Sequence, residues 1–255
     1  MKVIELYKFL DKKIPSSLSC EWDNDGLMCC PDEKKEVRRV LVTLDVTSGA
    51  VEKAKSENCD VILSHHPLIF KGIKSITPSE CVPAKAIELI RSGIAAMSFH
   101  TRLDALAGGV NDVLASKLGL HNTVPFGVGG EAIGRVGTLE LPMKPEVFAE
   151  LVKKALGAPA VLLADAGRDV YTVALLGGEG GDDIDAARAA GADTYVSGRL
   201  GYHAMTDAPE NKINLIEAGH FYTEFPVCDF LASLVKRADR NIECVPFFSN
   251  RIKLI

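Results

Sequence analysis

The chain has 255 residues, 47% of them hydrophobic and 25% charged, which is the composition of a globular protein with a substantial core. Its apolar runs fall short of the roughly 20 residues that span a bilayer, and the amino-terminal MKVIELYKFLDKK lacks the apolar region of a secretory signal, so a cytoplasmic location is expected. A formal charge of -5 argues against general attraction to nucleic acid or to an anionic membrane.

The first half of the chain alternates predicted strands with predicted helices. Strands are predicted for the β-branched and apolar runs RRVLVTLD, DVILS and IAAMSF. The helices predicted after them are SGAVEKAKSEN, with Ser48 as its cap, a second helix over about 80–92 and a third that begins near Gly109. This order is typical of βαβ units and predicts a mostly parallel sheet.

The segment 121–134, HNTVPFGVGGEAIG, concentrates Gly, Pro and Asn and is the best boundary between two lobes, 1–125 and 126–255. The second half repeats the alternation. Its predicted strands are GRVGTLELP, VYTVALLGG, DTYVSG and INLIEAG, and its predicted helices are EVFAELVKKAL, DDIDAARAAG and a long helix over about 222–238. The pattern therefore indicates an α/β protein with two lobes.

Metal-binding side chains follow three of the predicted strands. The donors are His65 and His66 after DVILS, His100 and Asp104 after IAAMSF, and His220 and Glu224 after INLIEAG. In an open α/β sheet, ligands bind beyond the carboxyl ends of the strands. The three segments therefore predict one site assembled from distant parts of the sequence, with a pair of metals as its occupant. The seven cysteines show no CxxC spacing and do not indicate a thiolate zinc site.

The local sequence suits this prediction. Pro67 favours the end of a strand, so that two adjacent histidines can turn toward one site. His220 and Glu224 share one face if they lie on a helix, and the carboxylate can bridge two cations. The alternatives are hydrogen-bonded loop histidines and a solvated His–Glu pair. His100 remains open as a ligand, an orienting group or a proton carrier.

Four motifs together resemble the Nif-three-like dinuclear-metal family, often labelled type 2 homologues of GTP cyclohydrolase I. They are WDNDGL (22–27), SHHPLIF (64–70), HTRLD (100–104) followed by GGVND, and EAGHFYTE (217–224), and they run almost from end to end of the chain. The resemblance implies two similar interlocked α/β lobes with mostly parallel sheets, a dinuclear metal site at strand carboxyl ends, and a toroidal homohexamer.

By position, the resemblance assigns the metal ligands as His65, His66, Asp104, His220 and Glu224, with Glu224 bridging. His100 occupies a neighbouring histidine position, where we expect it to act in catalysis outside the coordination sphere. Arg102 stands where the family often has Asn or a small residue, which bears on substrate contacts rather than on the ligands.

The chemistry of such a site is metal-assisted hydrolysis, because each divalent ion activates a bound water. We therefore expect a hydrolase that acts on a small molecule, a nucleotide or a related heterocycle. Zinc, iron, manganese, cobalt and nickel all suit His and carboxylate ligands, and the sequence does not select among them. The alternative function is a non-catalytic metal-binding assembly with a regulatory or metal-handling role.

The sequence indicates only weakly which residues would contact a phosphate group of the substrate. The glycines of LLGGEGGDDID (175–185) can present backbone N–H groups to an anion, although a tight turn explains them better. The side chains that we consider for a phosphate lie near predicted strand ends, where each can also be a solvated surface group: Lys71, Arg102, Arg199 and His203.

Overall fold

A computed structural model describes residues 1–127, 132–253 and 255. The chain folds into two compact units, each with its own β-sheet. Unit 1 comprises Met1–Leu103 and Val227–Arg251, and unit 2 comprises Asp104–Pro226 with Ile252–Ile255. None of the helices in the described ranges has the length and apolar character needed to cross a bilayer.

The elements follow one another in a largely alternating order. As far as Lys117 they are α1 (Val3–Lys13), β1 (Gly26–Cys29), β2 (Arg39–Thr43), α2 (Ser48–Ser56), β3 (Val61–Ser64), α3 (Cys81–Ser92), β4 (Ala95–Ser98), α4 (Thr101–Ala105) and α5 (Val110–Lys117). The remainder are β5 (His121–Phe126), β6 (Gly134–Met143), α6 (Pro145–Leu156), β7 (Leu162–Ala164), β8 (Val170–Glu179), α7 (Ile184–Ala189), β9 (Thr194–Arg199), α8 (Tyr202–Asp207), β10 (Asn214–Glu217), α9 (His220–Glu224), α10 (Val227–Ala238) and β11 (Glu243–Phe247). Short 3₁₀ turns occupy Ser16–Leu18 and Gly181–Asp183.

The sheet of unit 1 has the strand order β1-β4-β3-β2-β11 and is parallel except for β1, which pairs antiparallel with β4. Every residue of β3 and β4 is buried, as expected for strands covered on both faces. Ser64 and Ser98 are paired across these two strands. Because both strands end at this pair, the residues that follow them begin at the same edge of the sheet.

The sheet of unit 2 is mixed, with the order β5-β6-β8-β9-β10-β7. Only β8–β9 and β9–β10 are parallel, whereas β5–β6, β6–β8 and β10–β7 are antiparallel. The prediction of mostly parallel sheets is therefore confirmed for unit 1 and wrong for unit 2. The α/β class is confirmed, and the parallel centre of this sheet again directs several strand ends, at Glu179, Arg199 and Glu217, toward one edge.

Sequence-based boundaries differ from the structure in three helices. Thr47, rather than Ser48, caps α2, because its side chain accepts a hydrogen bond from the Ala50 N–H at 3.1 Å. A short helix, α4, lies between β4 and the helix predicted to begin near Gly109, where no helix was predicted. The long helix predicted over 222–238 is interrupted before Val227, since Pro226 has no N–H to continue the hydrogen-bond ladder.

The compact units are also grouped differently from the lobes 1–125 and 126–255. β11 pairs in parallel with β2, and this pairing returns the carboxyl-terminal part of the chain to the first sheet. Unit 2 begins at Asp104, within the turn of α4. Of the predicted boundary segment 121–134, residues 128–131 lie outside the described residues, and β5 and β6 on either side of them pair antiparallel.

Candidate metal centre

Three histidines of unit 1 lie together at the carboxyl ends of β3 and β4. The ring centroids are 4.9 Å apart for His65 and His66, 5.2 Å for His65 and His100, and 5.6 Å for His66 and His100. One ring nitrogen of each lies within 4.8 Å of the others. The chain bends before Pro67 as expected, because β3 ends at Ser64 and residues 65 and 66 form a bend.

The orientation of each imidazole is determined by an acceptor at Nδ1. His65 Nδ1 lies 3.0 Å from the Phe99 carbonyl, His66 Nδ1 lies 2.7 Å from Asp45, and His100 Nδ1 lies 2.8 Å from Asp23. A carbonyl or carboxylate oxygen only accepts, so the proton of each neutral ring is on Nδ1 and the lone pair is on Nε2. This is the protonation pattern of a metal-binding histidine.

Asp23 is the residue that positions His100, and the sequence did not identify this role. Its other carboxylate oxygen accepts hydrogen bonds from the Thr101 backbone N–H at 3.0 Å and from the Thr101 hydroxyl at 2.6 Å. Burial by itself would raise the pKa of Asp23, but the hydrogen bonds from His100 and Thr101 outweigh it and hold that pKa well below its ordinary value. Asp23 is therefore an ionised acceptor for the His100 ring.

Arg102 is a buried structural cation rather than a phosphate contact. It is 1% exposed and donates hydrogen bonds to Asp25 at 2.9 Å and to Asp11 at 2.7 Å. Burial by itself would lower the pKa of Arg102, but these acidic partners raise it above its ordinary value. Asp25 also accepts from the His100 N–H at 2.8 Å, so this ion pair stabilises the backbone at His100.

The other three residues considered for a phosphate are exposed, and they give no further support for an anion site. Arg199 lies 3.6 Å from Glu179 as a surface ion pair. Lys71 and His203 are also on the surface.

Unit 2 brings together the remaining predicted ligands. Carboxylate oxygens of Asp104 and Glu224 lie within 4.8 Å of one another, and both residues are buried. His220 Nε2 lies 3.0 Å from Glu224 Oε2, which confirms that the i, i+4 pair shares one face of α9. Two ionised carboxylates at this separation would repel each other by about 4 kcal/mol at an effective dielectric constant of 20. A bound cation would relieve that repulsion.

Glycines at the end of β8 allow the backbone to approach Glu224. A Cβ added to Gly177 would lie 3.1 Å from Glu224 Cγ, and one added to Gly178 would collide with the Glu224 carboxylate. The Gly178 N–H also donates to the Thr223 hydroxyl at 3.0 Å. In the segment 175–185, Gly177 and Gly178 therefore make room for the buried carboxylate of Glu224. Neither a phosphate-binding loop nor a simple turn accounts for this close approach.

This packing predicts that Gly178→Ala destabilises unit 2 more than Gly191→Ala does. Both glycines have a positive φ, +73° and +85°, but a Cβ at Gly191 meets nothing within 4 Å. Gly191→Ala should cost about 1 kcal/mol of unfolding free energy from backbone strain alone. Urea denaturation of both variants measures the difference. Equal losses would mean that the Glu224 side chain moves aside at no cost.

Comparisons with known proteins support the family resemblance of the four sequence motifs. A Clostridium perfringens protein named GTP cyclohydrolase 1 type 2 homolog is 33% identical over 251 residues, which cover 96% of this chain and 95% of that protein. A solved Bacillus cereus protein related to NIF3 has a TM-score of 0.91 at 23% identity, covering 100% of this chain and 99% of that chain. A hypothetical protein from Staphylococcus aureus has a TM-score of 0.90 at 26% identity, covering 100% and 99%. The sequence profile described as Duf34/NIF3 (NGG1p interacting factor 3) matches residues 1–253, and the chain therefore belongs to this family.

Proposed function

We propose that this protein is a hydrolase that uses two divalent metal ions. The ligands in this proposal are His65, His66, Asp104, His220 and Glu224, with Glu224 bridging the two ions. The observation that carries it is the hydrogen bonding of the unit 1 histidines, which directs a lone pair of each ring toward the same small volume. The expectation from the sequence motifs is the same ligand set.

The donor set suits such ions chemically. Neutral imidazoles and carboxylates are ligands for zinc, iron, manganese, cobalt and nickel, and the buried carboxylates of Asp104 and Glu224 would offset the charge of the ions. Bound divalent ions supply Lewis acidity and a water of lowered pKa, so the reaction class is hydrolysis. The name given to the relatives, GTP cyclohydrolase 1 type 2 homolog, supports a nucleotide or a related heterocycle as the substrate class.

The metal proposal predicts close to two transition ions per chain in protein purified without chelator. Glu224→Gln should lower occupancy at both positions, because a bridging carboxylate serves both ions. Glu150→Gln is the matched control, since Glu150 is exposed and pairs only with Lys153 at 3.4 Å among the contacts described. Elemental analysis measures the stoichiometry. Loss of only one ion would show that Glu224 is a terminal ligand of a single ion. Unchanged occupancy would show that Glu224 is not a ligand.

His100 has the role of a catalytic residue in this proposal. Its Nδ1 is held by Asp23, and its Nε2 lies near the nitrogens of His65 and His66. Unlike His65, it retains some contact with solvent. The five proposed ligands already provide donors for two partly open ions, so His100 would orient a water molecule or transfer a proton.

On this basis, His100→Ala should retain both metals and lower the hydrolytic rate by roughly 10²-fold or more, the scale of a positioned acid or base. The substrate is found by screening nucleotides and related heterocycles with metal-loaded protein, and Asp104→Ala serves as the metal-deficient control. His121→Ala, which removes an exposed imidazole on β5, should change neither quantity. Metal content and turnover are measured on one sample. Parallel loss of both would make His100 a ligand.

We also propose that the chain assembles into a closed homo-oligomer, a hexamer, as the family resemblance implies. Multi-angle light scattering should therefore give about six times the chain mass of 27.4 kDa. The expected mass should persist on dilution to micromolar protein, because closed rings satisfy every subunit interface. A stable monomer at that concentration would contradict the proposal.

A further inference from the structure

Two large aromatic side chains are exposed beside the histidines of unit 1. Trp22 is 58% exposed and Phe70 is 44% exposed. The Trp22 ring centroid lies 6.1 Å from that of Phe70 and 6.3 Å from that of His100, and Phe70 lies 5.9 Å from His100. The interplanar angles are 77°, 77° and 88°, so all three contacts are edge-to-face and none is a stacked pair.

Hydrogen bonds of the two residues that follow Trp22 hold this part of the backbone beside the histidine cluster. The carboxylate of Asp23, the next residue, is bonded to His100 and Thr101. The side-chain amide of Asn24 donates to the Ile69 carbonyl, which joins this segment to the one that carries Phe70. The hydrogen bonds of the WDNDGL motif thus position two exposed rings that contribute little to the core of unit 1.

We propose that Trp22 and Phe70, the aromatic rim, bind the planar ring of a nitrogen heterocycle of the nucleobase class, which stacks on one of the two rings and meets the other edge-to-face. This inference rests on the proposed function and adds the group by which the substrate is recognised. Bases stack on exposed aromatic rings without needing matched hydrogen bonds. The rim also contacts His100 directly, so a ring bound there lies next to the residue proposed to orient water or transfer a proton.

A small ligand fits this surface better than a protein partner does. A stable protein interface buries about 800 Å² on each side, whereas the rim consists of two side chains. Its neighbours in sequence, Glu21, Asn24 and Lys71, are exposed polar or charged residues. An apolar pair of this size, placed against imidazoles and surrounded by polar residues, matches one small planar ligand rather than a protein surface.

Trp22 is the only tryptophan in the chain, so intrinsic fluorescence reports on the rim alone. The zinc-loaded full chain is titrated with guanosine 5′-monophosphate, and ribose 5-phosphate serves as the matched ligand without a ring. Saturable quenching by the nucleotide, with no response to ribose 5-phosphate, is the expected result. An equal response to both ligands would show that only the phosphate is recognised. No response to either would show that the nucleobase does not bind at the rim. Both outcomes overturn the inference.

Calorimetry then tests the two side chains. Trp22→Ala and Phe70→Ala should each weaken nucleotide binding by about 10-fold, the usual effect of removing an aromatic partner of the bound ring. Tyr171→Ala is the control, because Tyr171 is an aromatic residue of unit 2 that is 42% exposed, near the amino-terminal end of β8. Unchanged affinity in the rim variants would overturn the inference. So would a lower oligomer mass in those variants without loss of affinity, since the rim would then contact a second copy.

Metal content on the same samples separates this inference from the proposed function. If the wild-type chain retains two ions but the rim does not bind the nucleotide, only the inference fails. If the wild-type chain binds no metal, the proposed function fails. If Trp22→Ala loses metal together with affinity, the residue supports the metal site rather than the bound nucleotide, and the inference is overturned.

Discussion

The hydrogen bond to histidine Nδ1 is the interaction on which the rest of this site depends. An imidazole that can rotate or change tautomer presents either nitrogen to a metal. The free energy of ordering the ring then weakens metal binding. In unit 1 the Phe99 carbonyl, Asp45 and Asp23 each hold one ring, so the protein's own hydrogen bonds determine the orientation of the three imidazoles. The acceptors come from three different loops, and this is why the motif residues that flank the strands matter as much as the histidines.

The fold supplies these acceptors by ending its strands together. The Ser64–Ser98 pairing of β3 with β4 starts His65 and Phe99 at neighbouring points of the sheet edge, and a backbone carbonyl from one strand end then accepts from a ring on the other. In unit 2 the backbone of β8 approaches the α9 carboxylate because glycines leave the space open. In both units, the position of the backbone thus determines how the donor side chains are held.

Much of this could be predicted from sequence, because strand ends and donor residues are local signals. DVILS, IAAMSF and INLIEAG each form a strand at the expected place, and the residues after them are the candidate metal donors. The acceptors could not be found in this way. Asp23 lies 77 positions from His100, and nothing near either residue indicates that they meet.

Other errors have equally physical reasons. The antiparallel pairs of unit 2 depend on which strand edges meet, a choice that hydrophobic periodicity does not encode. Arg102 looked like a ligand contact because arginine is rarely buried, yet two acids and the Phe99 ring, 4.5 Å from its guanidinium carbon, stabilise it in the interior.

The return of β11 to the first sheet has a consequence for the order of folding during synthesis. All strands of the second sheet lie between His121 and Glu217, whereas the first sheet needs Glu243–Phe247 beside β2. The sheet that starts the chain is therefore completed last on the ribosome. Until then the outer edge of β2 has open hydrogen-bonding groups, which is the state in which a nascent chain most needs protection from pairing with other strands.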